Sequence, residues 1–199
     1  TVEKIAEEKS YIYQVLKSDG IAIINSRDPR CEYFKNKTKH CQQVLLYGNR
    51  YNVQEESVTL DEYACASFTS QLGEVKQRVN LSMPGRHQVM NAHAAAAIAH
   101  HLGLSPSKIA TTLSKLVACR GRMKRYFEPR SKALLIDDSY NASPQSMEAA
   151  IASLSMIKKK DKCLIIADMG ELGTQSDYWH AQIGKWADRC GVDYLFAVG

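Results

Sequence analysis

The chain has 199 residues, of which 45% are hydrophobic and 24% are charged, and its formal net charge at pH 7 is +5. This is the composition of a globular protein and argues against intrinsic disorder. No apolar run approaches the roughly 18 residues that a bilayer-spanning helix requires, so we expect no membrane insertion.

The N-terminal part of the chain predicts a mixture of helices and strands. Apolar residues form one stripe along the first helix: Val2, Ile5, Ala6, Ile12, Tyr13 and Leu16. Helices are predicted over residues 2–17, 89–102 and 106–117, and strands over 20–25, over 43–47 and over two stretches within 57–83 that divide near Gly73. Gly103 is placed to end the second helix, and Ser105-Pro106 to begin the third.

From residue 118 the pattern changes to strands that alternate with helices. Residues 118–130 are basic, contain Gly121 and Pro129, and are predicted to link two domains. Strands are then predicted over 133–138, 163–168 and 193–199, with helices over 144–157 and 177–190. This order predicts an α/β fold with a parallel sheet and right-handed crossovers. Because the chain lacks an initiator Met and reaches its last strand without a following helix, we expect it to be part of a longer protein.

The six cysteines predict reduced thiols. None of them is arranged as CxxC or at the spacing of a zinc finger. Reduced cysteines are typical of a cytoplasmic protein, which is the location we expect.

Two polar clusters follow predicted strands, and they are candidate ligand sites. The first is Asp137-Asp138-Ser139-Tyr140-Asn141, and the second runs from Asp168 to Gly173 and includes Glu171. In open parallel sheets, ligands bind beyond the carboxyl ends of the strands. Carboxylates there suit ribose hydroxyls, amines or magnesium, although Asp, Ser and Asn are also common turn and capping residues.

Single residues elsewhere are further candidates, each with an ordinary structural alternative. Lys9 lies on the predicted apolar stripe, where it either extends its amine to water or sits near a site with a lowered pKa that allows it to form a carbamate. His87 and Asn91 begin a helix, where they either cap it or contact a nucleotide. Arg122, in the predicted linker, is placed to reach a phosphate. His180 is read as a structural histidine.

The sequence lacks the motifs that are typical of several reaction types. There is no GxxxxGK[ST] phosphate-binding loop, no nucleophile elbow and no HExxH. The positive charge suits an anionic ligand such as a nucleotide, and a short basic segment without an RNA-binding signature does not favour nucleic acid.

Five strings, in this order, are similar to the Mur ligases, the ATP-dependent amide-forming enzymes of peptidoglycan synthesis. They are EEKSYIYQVLKSDGIAIINSRDP, GRHQVMNAHAAAAIAHHLG, CRGRMKRY, DDSYNASPQSMEAAI and ADMGELG. The last two resemble the branch that adds D-alanyl-D-alanine to a UDP-N-acetylmuramoyl tripeptide. The resemblance extends over nearly the whole chain.

The resemblance implies the C-terminal part of a central ATP-binding domain over 1–120 and a Rossmann-like ligase domain over 121–199. It implies ATP and Mg²⁺ as cofactors, UDP-N-acetylmuramoyl tripeptide and D-alanyl-D-alanine as partners, an acyl-phosphate intermediate and a cytoplasmic monomer without a nucleic-acid partner. The phosphate-binding loop of such enzymes would lie upstream of Thr1, so we expect these 199 residues alone to be inactive.

The resemblance also implies roles for individual residues. Lys9 matches a carbamylated lysine that helps to hold magnesium, and Arg122 matches an arginine that reaches the nucleotide phosphates. His87 and Asn91 match residues near the adenine, and Asp138 matches the aspartate at the ribose. The positions that face the amino-acid substrate are matched by Asn141, Asp168 and Glu171.

Three residues depart from the family pattern. Gln88 replaces an Asn beside His87, Ser143 replaces an Asn before Pro144, and Ala167 replaces a Gly before Asp168. The first departure puts an adenine contact in doubt, and the last affects how closely a ligand approaches the backbone.

Other functions remain as alternatives at this point. One is a ligase of the same architecture, either another Mur branch or a folylpolyglutamate synthase, against which the DDSYNASP string argues. Another is a non-catalytic nucleotide-binding scaffold, and a third is nucleic-acid binding, which would predict a steep salt dependence.

Overall fold

The computed structural model describes residues 1–48, 58–159 and 161–199. These residues form six helices and nine strands, in the order α1 (Val2–Gln14), β1 (Ile21–Asn25), α2 (Cys31–Lys37), β2 (Gln43–Tyr47), β3 (Thr59–Leu60), β4 (Cys65–Leu72), β5 (Val75–Pro84), α3 (Gln88–His101), α4 (Pro106–Lys115), β6 (Lys124–Glu128), β7 (Ala133–Asp137), α5 (Pro144–Met156), β8 (Cys163–Ala167), α6 (Ser176–Arg189) and β9 (Tyr194–Val198). The mixed α/β class predicted from the sequence is confirmed.

The chain divides into two compact units. Unit 1 takes its described residues from Thr1–Val58, Phe68–Val79 and Met90–Leu113, and unit 2 from Thr59–Ser67, Asn80–Val89 and Ser114–Gly199. The strands β4 and β5 and the helix α3 therefore contribute residues to both units.

The first unit is built around the parallel pair β1 and β2. Alternate side chains of β1 point into the core, because successive residues of a strand face opposite sides. Ala22 and Ile24 are buried there with Cys31 of α2. Partly buried side chains of α1, of the turn after it, of α2 and of β2 pack on this core: Tyr13, Leu16, Phe34, Val44 and Leu46.

The apolar stripe predicted on α1 is only partly buried. The buried positions are Ala6 and Ser10, whereas Val2, Ile5 and Ile12 are 50%, 59% and 66% exposed. The apolar residues occupy a wider part of the helix surface than unit 1 covers. The periodicity of the sequence therefore does not show which of these residues are buried.

The second unit contains two separate strand pairs. The strands β8 and β9 pair in parallel with α6 between them in the chain, as the sequence predicted. The strand β7 instead pairs antiparallel with β6, with Lys124 opposite Asp137. A core cluster of Ile151, Met169 and Ile183 joins α5, α6 and the end of β8.

These pairings correct two predictions. The segment 118–130 is not a simple linker, because residues 124–128 of it form β6. Within the described residues, β7 is hydrogen-bonded to β6 and not to β8, so it does not extend the parallel pair. The tight turn between β6 and β7, where Lys132 has a positive φ and Ser131 donates to Glu128, makes the hairpin possible.

The helix ends follow the predicted signals. Ser143 and Ser146 form a reciprocal capping box at the start of α5, with Pro144 in the first position. Gly103 and Gly191 have positive φ angles just beyond α3 and α6. In both cases the next amide donates to a carbonyl five residues earlier, as in a Schellman motif.

Two further sequence expectations concern thiols and membranes. All six cysteines are free of disulfide bonds, in agreement with the reading of reduced thiols. Among the described helices, none has both the length and the apolar composition needed to cross a bilayer.

His93 is a buried polar residue in the middle of α3. The residue is 6% exposed, and its ring packs edge-on against Phe68 at 5.3 Å between ring centroids. Neither ring nitrogen has a hydrogen-bond partner among the described residues. Burial, with a smaller contribution from Arg27, lowers its pKa to about 4. The folded protein therefore holds His93 neutral.

We predict that His93 makes the protein less stable in mild acid. The unfolded chain binds a proton near pH 6.5 and the folded one only near pH 4, so unfolding becomes easier as the pH falls between these values. The full difference is on the order of 3 kcal/mol. Urea unfolding of wild type and His93→Leu at pH 7 and pH 4.5 measures it. The exposed neighbour His101→Leu is the control, and an equal pH dependence in all three proteins would contradict the prediction.

Candidate functional site

Two loops at one end of the β6–β7 hairpin are joined by hydrogen bonds. Because Lys124 lies opposite Asp137, the residues before β6 meet the residues after β7. The Gly121 amide donates to Asp137 Oδ2 at 3.0 Å, and the Met123 amide donates to Asp138 Oδ1 at 3.1 Å. The Tyr140 amide donates to the Gly121 carbonyl at 3.1 Å. Backbone bonds in both directions hold the two loops in one arrangement.

Gly121 allows this close approach. Its φ is +73°, and a Cβ there would lie 3.1 Å from the backbone nitrogen of Tyr140. A residue with a side chain would need both an unfavourable backbone conformation and a displaced loop.

The loop junction fixes the position of Arg122. Its side chain is exposed, and its guanidinium lies over the ring of Tyr140 at 4.0 Å from the centroid. Stacking of this kind orients an arginine without neutralising its charge. Arg122 therefore remains available to bind an anion.

The two carboxylates of the junction differ in their electrostatics. Hydrogen bonds from the Ser139 hydroxyl, the Gly121 amide and the Ser139 amide lower the pKa of Asp137. Partial desolvation raises the pKa of Asp138, although the Met123 amide and the charges of His87 and Arg122 act against it. Asp137 accepts hydrogen bonds from the loop on both oxygens, whereas among the described residues only one oxygen of Asp138 has a backbone donor.

His87 comes to the same region from the turn that follows β5. It is half-buried, and burial lowers its pKa while the nearby Asp138 acts in the opposite direction. The turn requires glycine at position 85, where φ is +105° and a Cβ would lie 2.5 Å from His87 Cε1 and 2.6 Å from Ser153 Oγ. The Gly85 amide also donates to the Ala64 carbonyl at 2.9 Å.

Unit 2 thus brings together three predicted nucleotide-site residues that are distant in sequence: His87, Arg122 and Asp138. They offer a neutral imidazole, a cation and a carboxylate. This combination suits a ligand that carries an aromatic base, hydroxyl groups and phosphates.

The second polar cluster forms a loop after β8. Asp168 and Glu171 are exposed, and Glu171 has a φ of +61°. Met169 between them is buried in the core cluster with Ile151 and Ile183. The loop therefore presents two carboxylates from a backbone that is anchored in the core.

Asn141 has a local role in addition to the predicted one. Its side-chain oxygen accepts a hydrogen bond from the Ala142 amide at 2.9 Å, just before the capping box of α5. Its side chain is exposed. The turn function and a ligand contact are compatible, because the amide nitrogen is not used in this bond.

Lys9 and Asn91 belong to unit 1. Lys9 is exposed on α1 between Ile5 and Ile12, which are exposed as well, so its amine reaches water, as in the structural alternative given above. Asn91 is exposed in the first turn of α3.

The residues that the structure describes contain no group of three or more His, Cys, Asp or Glu side chains that could hold a metal ion. Lys9 as a carbamate would supply one oxygen ligand pair. The described residues therefore do not by themselves form a magnesium site, and we derive no chemical step through the ion.

Three contacts of the site were missed in the sequence. They are the Met123 amide on Asp138, the Tyr140 ring under Arg122 and the fit of His87 against Gly85. Each depends on which loops meet in space. The GR pair and the DSY string are the local signals that could have suggested the first two.

Comparison with known proteins identifies the family. Residues 1–99 match the Mur ligase middle domain, and residues 121–199 match the Mur ligase glutamate ligase domain. The chain belongs to the Mur ligase family.

Individual relatives are similar along nearly the whole chain. The UDP-N-acetylmuramoyl-tripeptide--D-alanyl-D-alanine ligase of Escherichia coli K12 is 32% identical, with 98% of this chain and 43% of the relative covered. The ligase of the same name in Bacillus subtilis is 31% identical over 99% of this chain and 42% of the relative. A crystal structure of MurF from Acinetobacter baumannii has a TM-score of 0.89 at 30% identity, covering 99% of this chain and 42% of that one. The chain thus spans less than half the length of the relatives that it matches.

We predict that Gly85→Ala destabilises the protein more than Gly103→Ala does. Both glycines have positive φ, which costs an alanine about 1 kcal/mol. At Gly103 nothing lies within 4 Å of an added Cβ, whereas at Gly85 the Cβ would overlap His87 and Ser153. We expect the crowding to add at least about 1 kcal/mol to the loss of unfolding free energy. Urea denaturation measures both variants, and equal losses would show that the turn gives way without cost.

Proposed function

We propose that the protein containing this chain is an ATP-dependent ligase that adds D-alanyl-D-alanine to a UDP-N-acetylmuramoyl tripeptide. The junction of residues 121–123 with residues 137–140 beside His87 is the observation on which the proposal rests. It brings an imidazole, a cation and a carboxylate together within segments that resemble the ligase motifs, which supports nucleotide binding there. The similarity to ligases with this activity, at 30–32% identity, supports the same conclusion.

The proposed nucleotide contacts follow from the chemistry of each side chain. Arg122, held over the ring of Tyr140, binds the phosphates, where its charge stabilises the negative charge that develops during phosphoryl transfer. Asp138 accepts a hydrogen bond from a ribose hydroxyl with the oxygen that Met123 does not use. His87 and Asn91 contact the adenine, and a neutral His87 suits a base better than an imidazolium.

The proposed reaction joins a carboxylate to an amine. The γ-phosphoryl group of ATP is transferred to the tripeptide carboxylate, which gives an acyl phosphate and ADP. The D-alanyl-D-alanine amine then attacks the acyl carbon, phosphate leaves and the nitrogen loses a proton. Asn141, Asp168 and Glu171 are proposed to face the dipeptide, where carboxylates suit its ammonium group.

Lys9 is proposed to act as a carbamate ligand of Mg²⁺ together with residues outside this chain. Its exposed amine is accessible to carbon dioxide. When bound, the ion would neutralise phosphate charge. The remaining features of the proposal are a domain boundary between residues 120 and 121, a monomeric state and a cytoplasmic location.

The experiment uses the longest natural polypeptide that carries these 199 residues. Phosphate release from ATP is measured with UDP-N-acetylmuramoyl tripeptide, prepared with either lysine or diaminopimelate as its third residue. D-alanyl-D-alanine is compared with D-glutamate, L-alanine and no amine. Release only with the dipeptide supports the proposal. Release only with a single amino acid would move the protein to another branch, and a folded, ATP-binding protein without release would be a scaffold.

We predict that Arg122→Lys lowers turnover at least about 10-fold in the same protein. Lysine keeps the charge, but it lacks the planar group that lies on Tyr140 and binds phosphate in two places. Arg130→Lys, an exposed arginine in the turn after β6, is the matched control and should keep wild-type activity. Equal activity of both variants would exclude Arg122 from the phosphate contact.

A further inference from the structure

His180 binds the loop that follows β8. It lies one turn into α6, where its Nδ1 is 2.9 Å from the Ser176 carbonyl oxygen. On the other side of the ring, Nε2 is 3.1 Å from the Met169 amide nitrogen, which donates to it. One side chain thus connects the start of α6 to the first residues of the loop.

These two bonds define the state of the ring. A carbonyl oxygen can only accept, so Nδ1 carries the proton, and an amide N–H can only donate, so Nε2 presents its lone pair. His180 is therefore neutral in this arrangement. Asp168 Oδ1 lies 3.9 Å from Nε2, beyond hydrogen-bonding distance, so the Asp168 carboxylate is not hydrogen-bonded to the imidazole.

The bond to Met169 fixes the backbone near the start of the loop. The Met169 side chain is only 5% exposed and packs with Ile183 from the same helix as His180. Asp168 precedes this anchor, and Glu171 follows it with a positive φ of +61°. Gly170 lies between Met169 and Glu171, and none of the described residues beyond its chain neighbours comes within 4 Å of a Cβ added there, so packing at Gly170 does not restrict the loop. The anchor at Met169 is what keeps both carboxylates in place.

We propose that His180 is a positioning residue that holds Asp168 and Glu171 in the geometry needed to bind the ammonium group of the dipeptide substrate. This inference rests on the proposed function. His180 acts through the Met169 amide and does not touch the substrate. A displaced loop would weaken dipeptide binding and leave the nucleotide contacts of Arg122 and Asp138 unchanged.

Two substitutions at position 180 separate the bond to the Met169 amide from the bond to the Ser176 carbonyl. In His180→Gln, the side-chain oxygen can reach the position of Nε2 and accept from Met169. In His180→Asn, the shorter amide can reach only the position of Nδ1, so the Met169 amide loses its acceptor. Ser176→Ala is the control, because it removes a hydroxyl near Nδ1 and keeps the carbonyl that binds His180.

In the longest natural polypeptide, we expect His180→Asn to raise the KM for D-alanyl-D-alanine about 10- to 100-fold, since small displacements at a site have effects of this size. The KM for ATP should stay within about twofold of wild type, and His180→Gln and Ser176→Ala should retain the dipeptide KM. If Gln and Asn at position 180 give the same dipeptide KM, or if the KM for ATP rises in parallel, the inference is overturned.

A second readout does not depend on substrate. In the same polypeptide without substrates, amide hydrogen exchange at Met169, measured by NMR, should be faster in His180→Asn than in wild type and His180→Gln. Equal exchange in all three proteins overturns the contact itself. If wild type does not use D-alanyl-D-alanine but the exchange differs as expected, the proposed function and its substrate fail, while the link between His180 and Met169 stands.

Discussion

The register of the β6–β7 hairpin is the constraint on which the candidate nucleotide site depends. Because Lys124 lies opposite Asp137, the turn at residues 121–123 lies against the residues after β7. Two amides of that turn then donate to the carboxylates of Asp137 and Asp138. A shift of one residue would turn alternate side chains to the opposite face and separate these donors from their acceptors. The hairpin therefore fixes one cation, Arg122, and one carboxylate, Asp138, at a defined place.

The features that the sequence predicted well are those with local causes. Ser143 caps α5 with a side chain three residues from its partner, and Gly191 ends α6 because a glycine accepts a positive φ. The strands β1 and β8 are short apolar runs bounded by turn residues, and such runs are visible in any window of the sequence. The two polar clusters were found because each follows such a strand.

The features that the sequence did not predict arise from contacts between distant segments. The residues KRYFE of β6 carry three charges in five positions, a pattern that predicts a solvated linker. Only their pairing with β7 shows that they form a strand. The apolar residues of α1 do not reveal which side is covered, and the structure buries Ala6 and Ser10 while Lys9 is exposed. His180 was correctly read as structural, but its bond to Met169, eleven residues away, gives that role a consequence for the neighbouring loop.

Asp137 and Asp138 are neighbours in the sequence, but their surroundings in the fold differ. Adjacent residues of a strand point to opposite sides, so the two carboxylates enter different environments. Asp137 meets three donors, which lower its pKa and commit it to the loop, whereas partial desolvation raises the pKa of Asp138. The first stabilises the junction, and the second accepts the Met123 amide with one of its two oxygens. A carboxylate that is partly desolvated gains most from a hydroxyl donor, because a hydrogen bond there replaces water that the site has already removed.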